Sequence, residues 1–350
     1  MKKHPWYDYS KLLSYNGVYN FVVGGRGIGK TYGAKKRVIS KAIKDGHEFI
    51  YLRRYKTELA ASRDTFFADV GEDFPNMEFR LHGNRAQMAE PVDADKFESE
   101  TEYRKAKKAQ SWKTVGYFIA LSTAQNQKSV SYPNVRAIIY DEFIIEKGNI
   151  HYLPNEHIAF NNFFSTVDRY QDKTTVLFLA NSVSIMNPYF TAYDIRPDEE
   201  TEFVRKADGF IVVHFPDSAE FANSIYETKF GRFIEGTEYA EYAVGNQFDD
   251  NNDSLIMVKG HKARYQFTLE CKNGSFSVWY SSDNNNFFVQ EKLPGRQNVY
   301  TLLPERMSEG KTLMTVRDKP LEYLRSGFNN ARVMFDRPAT RNTFREIFKR

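Results

Sequence analysis

Gly24-Gly25-Arg26-Gly27-Ile28-Gly29-Lys30-Thr31 decides the reading of this chain. The stretch fits the spacing G-x-x-x-x-G-K-[ST] in full. It lies between the apolar run Asn20-Phe21-Val22-Val23 and a helical segment, Thr31 to Lys44, that Gly46 should stop. Glycines allow backbone N–H groups to fold inward around phosphate oxygens, and the start of the helix adds partial positive charge. Residues Gly24 to Tyr32 are therefore expected to form a nucleotide-binding loop. In it Lys30 reaches the β and γ phosphates and the Thr31 hydroxyl binds Mg2+.

Working outward, further apolar runs cover residues 48–52, 116–121, 136–140 and 175–180, with helical stretches between them. Runs without clean alternation, bounded by helices, predict an α/β fold with a mostly parallel sheet covered on both faces. The run Ala137-Ile138-Ile139-Tyr140 ends in Asp141-Glu142. An acid closing so apolar a strand reads as a Walker B element, with Asp141 on the metal. Glu142 is then the base that polarises an attacking water, as a hydrolase needs, and a solvated loop carboxylate is the alternative. The guanine-reading Asn-Lys-x-Asp signature is absent, so ATP is the expected nucleotide. Asn181, closing the run 175–180, is placed either to sense the γ-phosphate or to cap the following turn. Arg169 follows a helical stretch and could project into a neighbour's site, although most lone arginines are solvated.

Composition bounds the rest. With 350 residues, 41% of them hydrophobic, the chain can fill real cores and suits about two domains. No apolar run approaches the roughly 20 residues of a membrane span, and Met1 to Asn20 lacks the apolar core of a secretory signal. One cysteine, Cys271, excludes a disulfide framework and a cysteine-rich zinc site, and implies a cytoplasmic setting. A net charge of +4 permits nucleic-acid binding without requiring it.

The expected organisation is a P-loop ATPase domain over 1–205, a linker region over 206–255 and a small C-terminal α+β domain over 256–350. Residues 90–111, acidic and then basic, read as an exposed, partly helical insertion. Asp249 to Asp253 reads as a polar loop, lacking the glycine and glutamate of a calcium site. Asn273-Gly274 between alternating runs predicts a hairpin, followed by a strand near 286–290 and helices near 321–330 and 342–349. A two-metal nuclease needs converging carboxylates, and Glu270 and Asp283 form no convincing constellation. The last 34 residues hold nine Lys/Arg against four Asp/Glu, a balance that suits either phosphate-backbone contact or an ordinary solvated face.

Several stretches together resemble the DNA-encapsidation ATPases of small short-tailed phages, the phi29-like group. They are Leu13-Ser14-Tyr15, the phosphate loop with its flanks, Phe49 to Lys56, Tyr132 to Val135, Asp141 to Ile144, Tyr152 to Glu156 and Asn187 to Phe190. Phe230 to Arg232, Gly236 to Tyr239 and Asn298 to Leu302 extend the resemblance over nearly the whole chain. The resemblance implies an ASCE-type ATPase followed by a vestigial RNase H-like nuclease domain without its metal site. It implies a homo-oligomeric ring, usually pentameric, that docks on the portal (connector) vertex of an empty capsid and drives double-stranded DNA inward. The setting it implies is the host cytoplasm, with transient attachment to the procapsid, and in characterised members a structural RNA takes part. It places a trans arginine finger on Arg169 and a second trans-acting basic residue on Lys128. Arg53, Arg54 and Lys56 match a basic motif, near nucleotide or in a structural salt bridge. The 90–111 segment is longer than the family pattern.

Overall fold

The computed structural model describes residues 6–127, 129–145, 150–182, 187–195, 201–216, 225–237, 240, 255–272, 274–291, 298–315, 317–330, 332–337, 340–341, 344 and 347. They form two compact units. The first is built on Met1–Ile145, His157–Ser182 and Ile195–Gln247, the second on Glu146–Glu156, Val183–Asp194 and Phe248–Arg350.

In the first unit the chain runs through α1 (Ser10–Ser14), β1 (Tyr19–Gly24), α2 (Lys30–Asp45), β2 (Glu48–Arg53) and α3 (Lys56–Asp64). Next come β3 (Glu78–His82), β4 (Arg85–Ala89), α4 (Glu100–Ala109), β5 (Lys113–Ala120), β6 (Val135–Asp141), α5 (Glu156–Asp168) and β7 (Thr175–Asn181). Beyond α6 (Pro188–Ala192), which belongs to the second unit, lie β8 (Phe203–Lys206), β9 (Ile211–His214) and α7 (Lys229–Ile234). Nine strands make one sheet in the order β3-β4-β5-β2-β6-β7-β1-β9-β8. The six inner strands, β5 to β9 in that order, pair in parallel. The antiparallel strands β4 with β3, and β8, finish its two edges.

The inner strands are apolar on both faces because both are covered. Phe21, Val22, Ile50, Ile138 and Phe178 are fully buried, and Phe21 stacks on Phe178 at 4.1 Å. Helix α2 lays Ala34, Val38, Ile39 and Ala42 on the sheet and stops at Gly46, whose N–H bonds the Ala42 carbonyl. The parallel, helix-covered sheet expected from the apolar runs is present. Strand β7 stands between β1 and β6, so an extra strand separates the phosphate-loop strand from the Walker B strand.

Two expectations need correction. The boundary at residue 205 cuts through β8, and β9 pairs with β1, so the first sheet continues to His214. The short run Phe210 to Val213 is the cause, because it adds to an existing parallel edge. In the other direction, residues 146–156 and 183–194 lie in the second unit rather than the first. The hairpin β3-β4 was also not anticipated, since its strands are short and half polar. The 90–111 insertion carries the exposed helix α4, capped by Ser99, with Lys107 paired to Glu78 of β3. Asp249 to Asp253 and most of the helix expected at 342–349 lie outside the described residues.

The second unit holds β10 (Arg264–Cys271), β11 (Gly274–Ser281), β12 (Asn286–Gln290), β13 (Val299–Thr301), β14 (Lys311–Leu313), α8 (Lys319–Asn329) and β15 (Val333–Phe335). The sheet order is β14-β13-β10-β11-β12-β15. Strands β10, β11 and β12 form the expected antiparallel meander, and β13 and β14 continue in parallel beside β10. Strand β15 pairs in parallel with β12 at the other edge of this sheet. Leu269, Phe276, Val278, Val289, Leu321 and Leu324 fill its core. Among the described residues no helix is long and apolar enough to cross a membrane.

Candidate active site

The site lies where parallel α/β sheets place ligands, at the carboxyl ends of the central strands. Gly27 and Gly29 take φ of +82° and +78°, the left-handed values that turn the loop inward and that β-carbons resist. Gly29 is also the residue that opens α2. Lys30 is buried, and its ammonium donates to the Gly24 carbonyl at 2.9 Å, the Gly25 carbonyl at 2.7 Å and Asn181 Oδ1 at 3.1 Å. These acceptors are neutral, so they orient the ammonium without cancelling its charge. Asn181 thus meets the phosphate-loop lysine directly, brought there by β7 lying against β1.

Thr31 Oγ1 donates to Asp141 Oδ1 at 3.0 Å. Asp141 Oδ2 accepts from the Tyr51 hydroxyl at 2.6 Å. Burial, and then the Asp141 charge, raise the Tyr51 pKa well above its ordinary value, so the phenol remains the donor. Tyr51 carried no sequence signal, because in a strand buried on both faces a functional tyrosine looks like any other core residue. Glu142 follows in a left-handed turn at φ +55°. That conformation costs a non-glycine residue about 1 kcal/mol, and such strain clusters at functional positions. Its carboxylate is half exposed and is held by Arg53 Nη2.

Arg53 is the hub of this network. It also lies 3.6 Å from Glu58 and 3.7 Å from Asp141. Burial works to lower its pKa, but the Asp141 and Glu142 charges outweigh that and raise it. Arg54, 1% exposed, is structural: its guanidinium donates to the Phe143 carbonyl at 2.6 Å and to the Glu142 carbonyl at 3.3 Å. Lys56 starts α3 in an exposed position. Replacing Arg53 with Ala removes a counter-charge from the buried Asp141 carboxylate and from Glu58. The expected cost is about 3 kcal/mol, read as a lowered urea midpoint, with Arg53→Lys recovering part of it.

Trp6 to Tyr9 strap across the start of α2. The Tyr7 N–H bonds the Ile28 carbonyl at 2.9 Å, and the Tyr9 hydroxyl bonds the Lys30 carbonyl at 2.7 Å. The Trp6 ring lies 4.5 Å from the Tyr32 ring, at the mouth of a cavity of about 480 Å³ that Lys36 and Arg37 also line. The Tyr32 hydroxyl bonds Asp73, so only the ring of this residue faces the strap. His214 secures the strap. Burial lowers its pKa, so it is neutral, with Nδ1 accepting from Tyr7 and Nε2 donating to Glu202 at 2.6 Å. Neither the strap nor its histidine was legible in the sequence, because contacts 207 residues apart leave no local pattern.

Arg169 is exposed and sits just past α5, in the turn that precedes β7. Since β1 and β7 run parallel, this turn is at the opposite end of the strands from the phosphate loop, about 20 Å away along β7. The buried Asp168 carboxylate holds the turn by accepting from the N–H groups of Gln171, Asp172, Lys173 and Thr174 at 2.9–3.0 Å. Burial opposes its charge, but those four donors prevail and lower its pKa. Asp168→Asn is expected to cost about 2 kcal/mol at neutral pH. A depressed carboxylate stabilises above its unfolded pKa of about 4 and loses that contribution as pH falls through the lower folded value. The gap between wild type and variant in thermal melts should therefore close only below about pH 4. Lys128 lies outside the described residues.

In the second unit Glu270 pairs with Lys311 at 2.8 Å and Asp283 with Lys262 at 3.0 Å. Among the described residues no group of three or more His, Cys, Asp or Glu side chains is arranged to hold a metal ion.

The family model for the podovirus DNA encapsidation protein (Gp16) matches residues 1–350. The DNA packaging protein of Bacillus phage phi29 is 35% identical over 353 residues, covering 100% of this chain and 99% of that protein. The DNA packaging protein of Bacillus phage B103 is also 35% identical, over 342 residues, covering 97% and 99%. Among solved structures, the chain is similar to one in the bacteriophage phi29 genome packaging motor assembly, with 34% identity, 98% of each chain covered and a TM-score of 0.57. It is also similar to the N-terminal domain of the phi29 DNA packaging ATPase, with 38% identity, 62% of this chain and 98% of that one covered and a TM-score of 0.52.

Proposed function

Because the chain belongs to the podovirus DNA encapsidation protein family over its whole length, we propose that it is the ATPase subunit of a phage DNA-packaging motor, hydrolysing ATP to drive double-stranded DNA into a preformed capsid. The observation that carries this reading is the convergence of Lys30, Thr31, Asp141, Glu142 and Asn181 at the carboxyl ends of β1, β6 and β7.

These residues fit a magnesium–ATP complex. The buried ammonium is oriented by the Gly24 and Gly25 carbonyls and by Asn181, and a hydroxyl and a carboxylate lie side by side 3.0 Å apart. Thr31 and Asp141 would hold Mg2+, which would supply positive charge against the phosphates. Tyr51 keeps one Asp141 oxygen engaged, so the other is oriented toward Thr31. Glu142 must part from Arg53 before it can accept a proton from water. Asn181 ties the end of β7 to Lys30 on the γ-phosphate side. The Trp6–Tyr32 pair offers an apolar face for the adenine base beside the loop.

Arg169, at the far end of the strands, cannot serve its own site. It completes a neighbour's site, and this requires a ring of copies, which we take to be a pentamer on the portal vertex of the procapsid in the host cytoplasm. A structural RNA is an admissible further partner. DNA contacts should be backbone contacts, since a motor must pass any sequence.

The test is ATP turnover by the motor assembled on procapsids, with and without duplex DNA. Turnover should rise several-fold with DNA, fall back as salt increases and show no preference for base sequence. Turnover that ignores DNA in the assembled motor overturns the reading.

A further inference from the structure

The second unit carries a cavity of about 610 Å³ between α8 and one end of its sheet, far larger than packing requires. Its wall is aromatic: Tyr280, Tyr300 and Tyr323 line it, and Tyr323 is 70% exposed at the rim. Two cations, Lys319 and Arg332, line it as well, and among the described residues no aspartate or glutamate does. Lys319 opens the eleven-residue helix α8, whose first-turn N–H groups add to the positive potential there. The N-cap carboxylate, Asp318, is engaged by Thr315 through its N–H and its hydroxyl, the latter at 3.1 Å. Asn330 lines the same cavity and is 8% exposed. Its Nδ2 donates to the Ser326 carbonyl at 2.7 Å, while among the described residues its buried Oδ1 has no partner. Buried amide oxygens are rarely left unpaired without a reason.

Flat aromatic faces, cations at a helix start and an unspent amide acceptor together describe a ligand with a planar ring, an N–H donor and an anionic group. We propose that this cavity binds one unpaired nucleotide, its base stacked against the tyrosines and its phosphate between Lys319 and Arg332. A base within a duplex is stacked on its own neighbours and cannot present its face to a side chain, so the site selects unpaired nucleotides. Double-stranded DNA, the cargo proposed above, is therefore not its ligand, and the inference does not depend on the ATP site. The unpaired nucleotide can come from a single strand or from a free nucleotide.

The full-length chain would be titrated by fluorescence anisotropy against a fluorescein-labelled oligouridylate and against a duplex of equal length. Uridine 5′-monophosphate would serve as the competitor. Tyr323→Ala, at an exposed position, should weaken oligouridylate binding about tenfold and leave duplex binding and ATP turnover unchanged. Arg332→Gln should weaken oligouridylate several-fold. Competition by the monophosphate, itself lost in Tyr323→Ala, identifies a free nucleotide as the ligand. Oligouridylate binding that the monophosphate does not displace identifies a strand. The proposal is overturned if wild type does not bind oligouridylate, if both variants bind it within twofold of wild type, or if Tyr323→Ala weakens the duplex equally.

Discussion

Glu142→Gln is expected to slow ATP turnover about a thousandfold, because a positioned general base contributes about 10²–10⁴ in rate and an amide cannot accept the proton. Nucleotide affinity should stay within about twofold, since the phosphate contacts belong to Lys30 and Thr31 rather than to this side chain. The fold should also hold, because Arg53 keeps Glu58 and Asp141 as partners at 3.6 and 3.7 Å. Single-turnover hydrolysis and equilibrium binding of a labelled nucleotide separate the two effects. Turnover within tenfold of wild type would remove Glu142 from the role of base. Loss of binding together with turnover would instead mean that the Arg53–Glu142 pair shapes the loop and does not activate water.

Arg169→Ala is expected to cost about 10³–10⁵ in turnover by the assembled ring, the range that an arginine finger contributes to phosphoryl transfer. Because Arg169 sits at the opposite end of β7 from the phosphate loop, the loss should depend on assembly. An isolated subunit hydrolyses slowly with or without the substitution. The decisive form is a mixture with Glu142→Gln. Each variant supplies what the other lacks, so mixed rings contain interfaces with an intact base on one subunit and an intact arginine on the next, and activity returns. If the mixture stays inactive while each variant assembles with wild type, Arg169 does not act across an interface. Asp168 gives a graded control. Weakening its hold on the turn should lower turnover by less than removing the guanidinium, and the guanidinium's chemistry stays intact.

The phosphate loop and the Walker B strand were legible because their chemistry is local. Left-handed glycines, a lysine and a hydroxyl must follow one another within eight residues, and an acid must end an apolar strand. Five inner strands were legible for the same reason, since a strand buried on both faces is a continuous apolar run. The meander of the second unit was marked by its turn. Strands β3 and β8 are the two edge strands, where much of the surface is wet and the pattern dilutes, and β4 is five residues long with Arg85 and Gln87 interrupting its apolar run. The domain boundary failed because membership in a sheet is a pairing property: four residues, Ile211–His214, join β1 across nearly two hundred residues of chain.

The sequence alone marked the fold class of the first unit, the glycine-rich loop before α2 and the acid pair that ends β6, because each follows from residue types at fixed short spacings. The tertiary structure decided which groups those residues answer to. It set Asn181 on Lys30, Tyr51 on Asp141 and Arg53 on Glu142, and it put Arg169 at the end of β7 opposite the glycine-rich loop. These are relations between strands that the chain visits far apart. Their distances are set by sheet order and register, which no single stretch of residues encodes.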